Sequence, residues 1–168
     1  MEASEVYTRL DKQFPGRVRD LKADVFEPFL FVDPAAIIEI CRFLHDDPAL
    51  KFEVLSDLTA VYWPKEEKIQ VVYHLYSYSQ RHQIVLKADL PRDNAKIATT
   101  EEVWKVANWL EREVYDLFGV IFDRHSDLRR IMLPEDWVGH PLRKDYVEQE
   151  EYDGMSTQRA PLVEGLLR

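Results

Sequence analysis

Glu111-Arg112-Glu113, Asp116, His125, Asp127 and Arg129-Arg130 set carboxylates, an imidazole and guanidiniums close together in one stretch of a 168-residue chain. Those types can do acid–base work, bind a metal or clamp an anion. As a stand-alone enzyme, the chain would use Glu113, His125 and Arg129 as acid, base and anion clamp. The spacing argues otherwise. Residues two apart on a helix diverge, so Glu111 and Glu113 cannot share one substrate atom. His125 with Asp127, or Glu111 with Tyr115, lacks the spacing of a metal site; no His-x-x-x-His, cysteine pair or Asp-rich loop accompanies them. His140 lies in a loop before Pro141, where it orders backbone, and His45, His74 and His82 stand singly. No glycine-rich phosphate loop and no Gly-x-Ser-x-Gly elbow occurs. The sequence therefore assembles no self-contained catalytic, cofactor or metal site.

The elements that must position these residues follow from periodicity and punctuation. Residues 4–14 read as a helix stopped by Pro15-Gly16. Residues 17–32 read as a hairpin, with Val18, Leu21, Ala23 and Val25 before Glu27-Pro28 and Phe29 to Val32 after it. Asp33-Pro34 opens a helix over 34–46, where Ile37, Ile38, Cys41 and Leu44 share a face. Three strands come next at 52–62, 68–78 and 82–90, joined by short turns and so antiparallel. Thr99 and Glu102 have capping-box spacing, and Gly119 is a natural stop, which predicts a helix over 99–119. The result is an α+β two-layer domain over 1–122, a mostly antiparallel sheet with helices on one face. A long extended C-terminal tail, 123–168, completes the chain.

On the 99–119 helix, Val103, Ala107, Leu110, Val114 and Leu117 form the core stripe. Arg112 points away from it, so Arg112→Ala is expected to cost assembly with partners while leaving the melting temperature of the isolated domain nearly unchanged. Trp104, Trp109 and Tyr115 also lie off the stripe. Aromatics around an arginine suit an interface; they equally suit a face covered by the chain's own tail, and both readings stand. The tail alternates anchors (Leu128, Ile131, Met132, Leu133, Trp137, Leu142, Tyr146) with charges of both signs, Arg143 and Lys144 among them. A segment this apolar should lie on a protein surface, its own or a partner's, and become protease-sensitive beyond about residue 125 if left alone.

The net charge of −9 argues against nucleic acid as the main partner. No apolar run approaches the roughly 20 residues of a membrane span. MEASEVYTRLDKQF lacks the order of a secretion signal, so the chain is expected in the cytoplasm. Cys41, the single cysteine, sits in a helical apolar pattern as a small hydrophobe.

Glu111, Arg112, Glu113, Asp116, Leu117, Phe118, His125 and Arg129-Arg130-Ile131-Met132, followed by LPEDWVGHPLRKDY, resemble the signature of one family. It is the 30-kilodalton subunit, lettered C, of respiratory complex I, the proton-pumping NADH:quinone oxidoreductase. The resemblance implies an accessory subunit of the hydrophilic arm on the cytoplasmic side of the membrane, with no cofactor of its own. FMN, iron–sulfur clusters and quinone would belong to partner subunits. The chain would hold the large quinone-site subunit, lettered D, and cluster-bearing neighbours. Glu111, Arg112, Glu113, Asp116, His125, Arg129 and Arg130 would be fold and assembly contacts. Trp104, Trp109, Tyr115, Trp137, Leu142, Arg143, Lys144 and Tyr146 would face partners. The equivalent subunit of a related hydrogenase, or of a ferredoxin- or F420-fed dehydrogenase, is the alternative within the same class.

Overall fold

A computed structural model describes residues 2–157. Alternating apolar residues build a five-stranded sheet of order β1-β2-β5-β4-β3. Its strands are β1 (Val18–Lys22), β2 (Phe29–Val32), β3 (Val54–Trp63), β4 (Lys68–Ser77) and β5 (His82–Pro91). The three long strands form the expected antiparallel meander. β2 then pairs with β5 in parallel, Leu30 beside Leu86, as its intervening helix and meander allow.

On the inner face, Leu30, Val32, Ile69, Val71, Tyr73, Leu75, Ile84, Leu86 and Ala88 are buried. They pack against α1 (Ala3–Gln13) and α2 (Ile37–Asp46), which contribute Val6 and Leu10, and Ile37, Ile40, Cys41 and Leu44. Asp33 accepts the Ala35 N–H and opens a single 3-10 turn, Pro34–Ala36, before α2. The two-layer α+β architecture is as the patterning predicts.

The third helix is shorter than its sequence suggests. α3 spans Ala107–Phe118, and residues 100–106 form turns ahead of it. The capping box does not form. Thr99 Oγ1 donates to Glu111 instead, and Glu102 pairs with Arg42 at 2.7 Å. The same hydroxyl accepts the Glu101 N–H at 3.2 Å, so Thr99 closes a turn ahead of α3 rather than capping the helix itself.

A small parallel sheet flanks α3, β6 (Lys96–Ala98) with β7 (Ile121–Asp123), too short for periodicity to reveal. α3 packs along β3, the last strand of the large sheet. Leu58, Ala60 and Tyr62 are consequently only 2%, 4% and 4% exposed. The helix thus covers the inner face of the sheet at this edge strand.

From Arg124 to Thr157 the chain is irregular except for the small hairpin β8 (Glu151–Tyr152) and β9 (Met155–Ser156). It folds back over α3. A division at 122 cuts through β7, and Leu128 packs against the core.

Candidate functional site

The charged stretch becomes a layered array around α3. On the side facing the core are Ala107, Glu111, Val114 and Phe118; on the side facing the C-terminal segment are Arg112 and Asp116, four residues apart and so on one face.

Glu111 is wholly buried. Thr99 Oγ1 donates to it at 2.5 Å, Thr100 N at 2.7 Å and Thr100 Oγ1 at 2.8 Å. Burial raises its pKa. These donors and the nearby His125 pull it back without cancelling the rise. His125 has no exposed side-chain surface. Its Nε2 contacts Asn108 O at 3.0 Å and its Nδ1 accepts the Asp127 N–H at 3.0 Å. His125 thus ties the start of the returning segment to α3.

Asp116, also wholly buried, is the centre of the second layer. Its Oδ2 accepts three successive backbone N–H groups, Ile131 at 3.0 Å, Met132 at 2.7 Å and Leu133 at 3.0 Å. Oδ1 accepts from Arg130 Nη1 at 2.6 Å. Burial works to raise its pKa, but the Leu133 and Met132 N–H groups, Arg130 and the Ile131 N–H outweigh burial and hold it below the usual aspartate range. Arg130 also donates to the Trp137 and Gly139 carbonyls, so one guanidinium closes a loop of the segment.

Further along, His140 Nδ1 contacts Asp116 O at 2.9 Å, and Arg143 Nε donates to Phe118 O at 2.6 Å. These groups cap the carbonyls at the end of α3. Burial lowers the pKa of His140, as do Arg143 and Arg130, against the opposing contact with Asp116 O. Gly119 makes this approach possible. At φ +73° it holds the left-handed stop, and a Cβ there would meet His140 at 2.5 Å and Arg143 at 2.7 Å.

Several expectations need correction. Arg112 does not point into solvent: it is 4% exposed, donates from Nε to Arg129 O, and stacks over Trp109 with its Cζ 4.9 Å from the ring centroid. The wheel gave its direction relative to the sheet correctly, but the segment covers that direction. Trp104 is not outward-facing either. It precedes α3, is 4% exposed, and its indole N–H donates to Phe52 O. Of the proposed enzyme trio, Glu113 is exposed, His125 is enclosed, and Arg129 is a surface residue paired with Asp127. The structure does not bring the three to a common cleft. Among the described residues, no three His, Cys, Asp or Glu side chains are grouped to hold a metal.

Trp109, Leu142, Lys144, Met132, Val138 and Val147 remain exposed; Tyr115, Trp137, Arg143 and Tyr146 are partly covered within the chain. Trp137 donates to the Tyr146 hydroxyl, and Asp145 accepts from Tyr62 and pairs with Arg92, fastening the segment to β3 as well. Sequence reasoning missed Thr99, Thr100 and Arg92. Thr99 was legible only as a cap residue, Thr100 not at all, and Arg92 only as part of a turn.

The profile of the family described as the respiratory-chain NADH dehydrogenase 30 Kd subunit matches residues 30–152. The chain belongs to this family. The NADH-quinone oxidoreductase subunit lettered C in Geobacter metallireducens is 44% identical over 159 residues, covering 91% of this chain and 97% of the relative. Its counterpart of the same name in Roseiflexus castenholzii is 46% identical over 115 residues, covering 68% and 66%. Among solved structures, a chain of the membrane-bound sulfane sulfur reductase, an archaeal respiratory membrane complex, superposes with a TM-score of 0.71 at 26% identity, covering 86% of this chain and 85% of that one. A trypsin-resistant fragment of Nqo5 superposes at 0.59 with 25% identity, covering 76% and 100%. The match to the 30 Kd subunit family spans both layers of the array, from the β2 strand to the β8 hairpin. No helix among the described residues is long and apolar enough to cross a membrane.

Proposed function

We propose that this chain is the 30-kilodalton subunit of an NADH:quinone oxidoreductase of the complex I type. It serves as a non-catalytic assembly subunit of the peripheral arm on the cytoplasmic side. It holds the large quinone-site subunit and neighbouring cluster-bearing subunits, while FMN, iron–sulfur clusters and quinone reside in those partners. The observation that carries the reading is the match to a 30-kilodalton-type relative over nine-tenths of the chain. The geometry supports the non-catalytic part. The charged signature residues Arg112, Asp116, His125 and Arg130 are committed to fastening the C-terminal segment onto α3, and Glu111 to holding Thr99 and Thr100 ahead of it, while Trp109, Met132, Val138, Leu142 and Val147 are displayed on the outside. Exposed apolar side chains on a rigid support are what a partner subunit can grip.

The test is a gentle affinity purification of the tagged chain from membranes. Flavin, iron and NADH-dependent quinone reduction should accompany the chain, and the chain purified alone should show none of them. Activity or a redox group in the isolated chain would reject the assembly role. The superposition on a chain of the sulfane sulfur reductase favours a second reading, the equivalent subunit of a related membrane complex with another electron donor. The companion proteins in the same purification decide between the two.

A further inference from the structure

The tip joining β1 to β2, Ala23-Asp24-Val25-Phe26-Glu27-Pro28, takes no part in the array around α3. Phe26 is 97% exposed and Val25 45%. A phenylalanine left almost wholly in water is the kind of feature that marks a contact surface. The tip is presented by a built irregularity. The β1–β2 register shifts between Arg19 and Lys22, with Asp20 at φ +52°, a bulge of the kind that bends a strand and re-aims the chain beyond it. β1 and β3 are the two ends of the five-stranded sheet. The tip lies at the end of the β1–β2 hairpin and leans over the sheet, where Glu27 comes within 3.9 Å of His74 on β4.

Charge selects the occupant. The tip carries Asp24 and Glu27, with Lys22 just before it; Glu27 lies 3.9 Å from His74 Nδ1, whereas Asp24 has no partner among the described residues. An anionic lipid surface would repel it. A second copy of a chain with net charge −9 is a poor match for the same reason. A protein pocket with apolar walls and a lysine or arginine rim satisfies both the ring and the unpartnered Asp24 carboxylate.

We propose that Phe26, with Val25 beside it, is an anchor that inserts into an apolar, basic-rimmed pocket of a partner protein, separate from the array around α3. This rests on the reading of the chain as a subunit of a larger assembly.

The test uses Phe26→Cys in the full chain. The native Cys41 is buried and its thiol is pushed above the ordinary range by burial and by Glu111, so it will not compete for a maleimide. Labelling should be fast in the chain alone. In the detergent-purified assembly it should be at least 100-fold slower, while Tyr78→Cys, at a turn that is 71% exposed, stays reactive. Adding Asp24→Lys and Glu27→Lys should weaken that protection about tenfold. Equal labelling of Phe26→Cys in chain and assembly overturns the anchor alone. Protection that persists after the charge reversal overturns the basic rim, and with it the proposed partner. Protection in the chain alone that rises with concentration assigns the tip to a second copy, and protection seen only in membranes assigns it to lipid; either overturns the proposal. Failure of the tagged chain to enter any assembly removes both this anchor and the subunit reading.

Discussion

At the residue scale, two buried carboxylates on one helix pull the acid response in opposite directions. The folded pKa of Asp116 is depressed. Its contribution is complete above the ordinary aspartate value of about 3.9 and is lost as pH falls through the folded value. The folded pKa of Glu111 is raised. Its contribution is complete below the ordinary glutamate value of about 4.3 and is lost as pH rises through the folded value. Urea midpoints measured against pH should therefore climb from strong acid to about pH 4 and then lose part of the gain above it. Asp116→Asn should flatten the acid limb and Glu111→Gln the decline; a Glu111→Gln profile parallel to wild type would show that the three donors compensate burial fully. Arg112 bears on stability too. Arg112→Ala removes a guanidinium that is 4% exposed and leaves Arg129 O without its donor. We expect a loss of about 2–3 kcal/mol in the chain on its own, read by denaturant titration. The ion pair to Asp127 adds little, since it is 3.7 Å long and Asp127 is half exposed. An unchanged midpoint would return Arg112 to a purely partner-facing role.

At the element scale, α3 works because it ends where the returning segment needs room. Gly119 and Gly16 both have φ near +74°, but a Cβ at Gly16 meets open space whereas one at Gly119 would meet His140 and Arg143. Gly16→Ala should cost about 1 kcal/mol for the backbone alone. Gly119→Ala should cost at least about 2 kcal/mol more, because two packed side chains must move. Equal melting shifts for the two would mean that the segment yields freely. The same helix shows what a sequence can and cannot tell. The meander was legible because Ile84, Leu86, Ala88 and Leu90 alternate cleanly, and every one of them is buried. The Gly119 stop was legible from residue type. The helix start was not: Thr99 and Glu102 fit a cap in sequence, but Thr99's choice of Glu111 depends on a tertiary approach that no local spacing encodes. Arg112 was misread for a related reason. A helical wheel locates the sheet-facing side, but only the path of residues 125–143 shows that the other side is covered too.

At the scale of the whole molecule, the C-terminal segment is part of the fold as far as Tyr146. Arg130 binds Asp116 and two carbonyls, Arg143 caps α3, and Asp145 reaches Tyr62 and Arg92 on the far side. A chain ending at Phe122 would lose part of β7 and leave Glu111 without His125. It would also leave Asp116 without any of its four donors. Uncovering a buried carboxylate and the second face of α3 together should cost about 5 kcal/mol or more, comparable to the entire stability of a small domain. That truncated chain should aggregate or melt without a cooperative transition. A chain ending at Val147 keeps every one of these contacts and should melt within a few degrees of the full-length protein. Trypsin supplies an independent readout: Arg130 has only 13% of its side chain exposed and is held by Asp116 and two carbonyls, whereas Lys144 is exposed. Of these two sites, trypsin should therefore cut the chain first at Lys144 and not at Arg130. Early cleavage at Arg130, together with a native-like melt of the chain ending at Phe122, would mean that the segment merely lies on a domain that stands without it. Its fastening would then come from the partner rather than from α3.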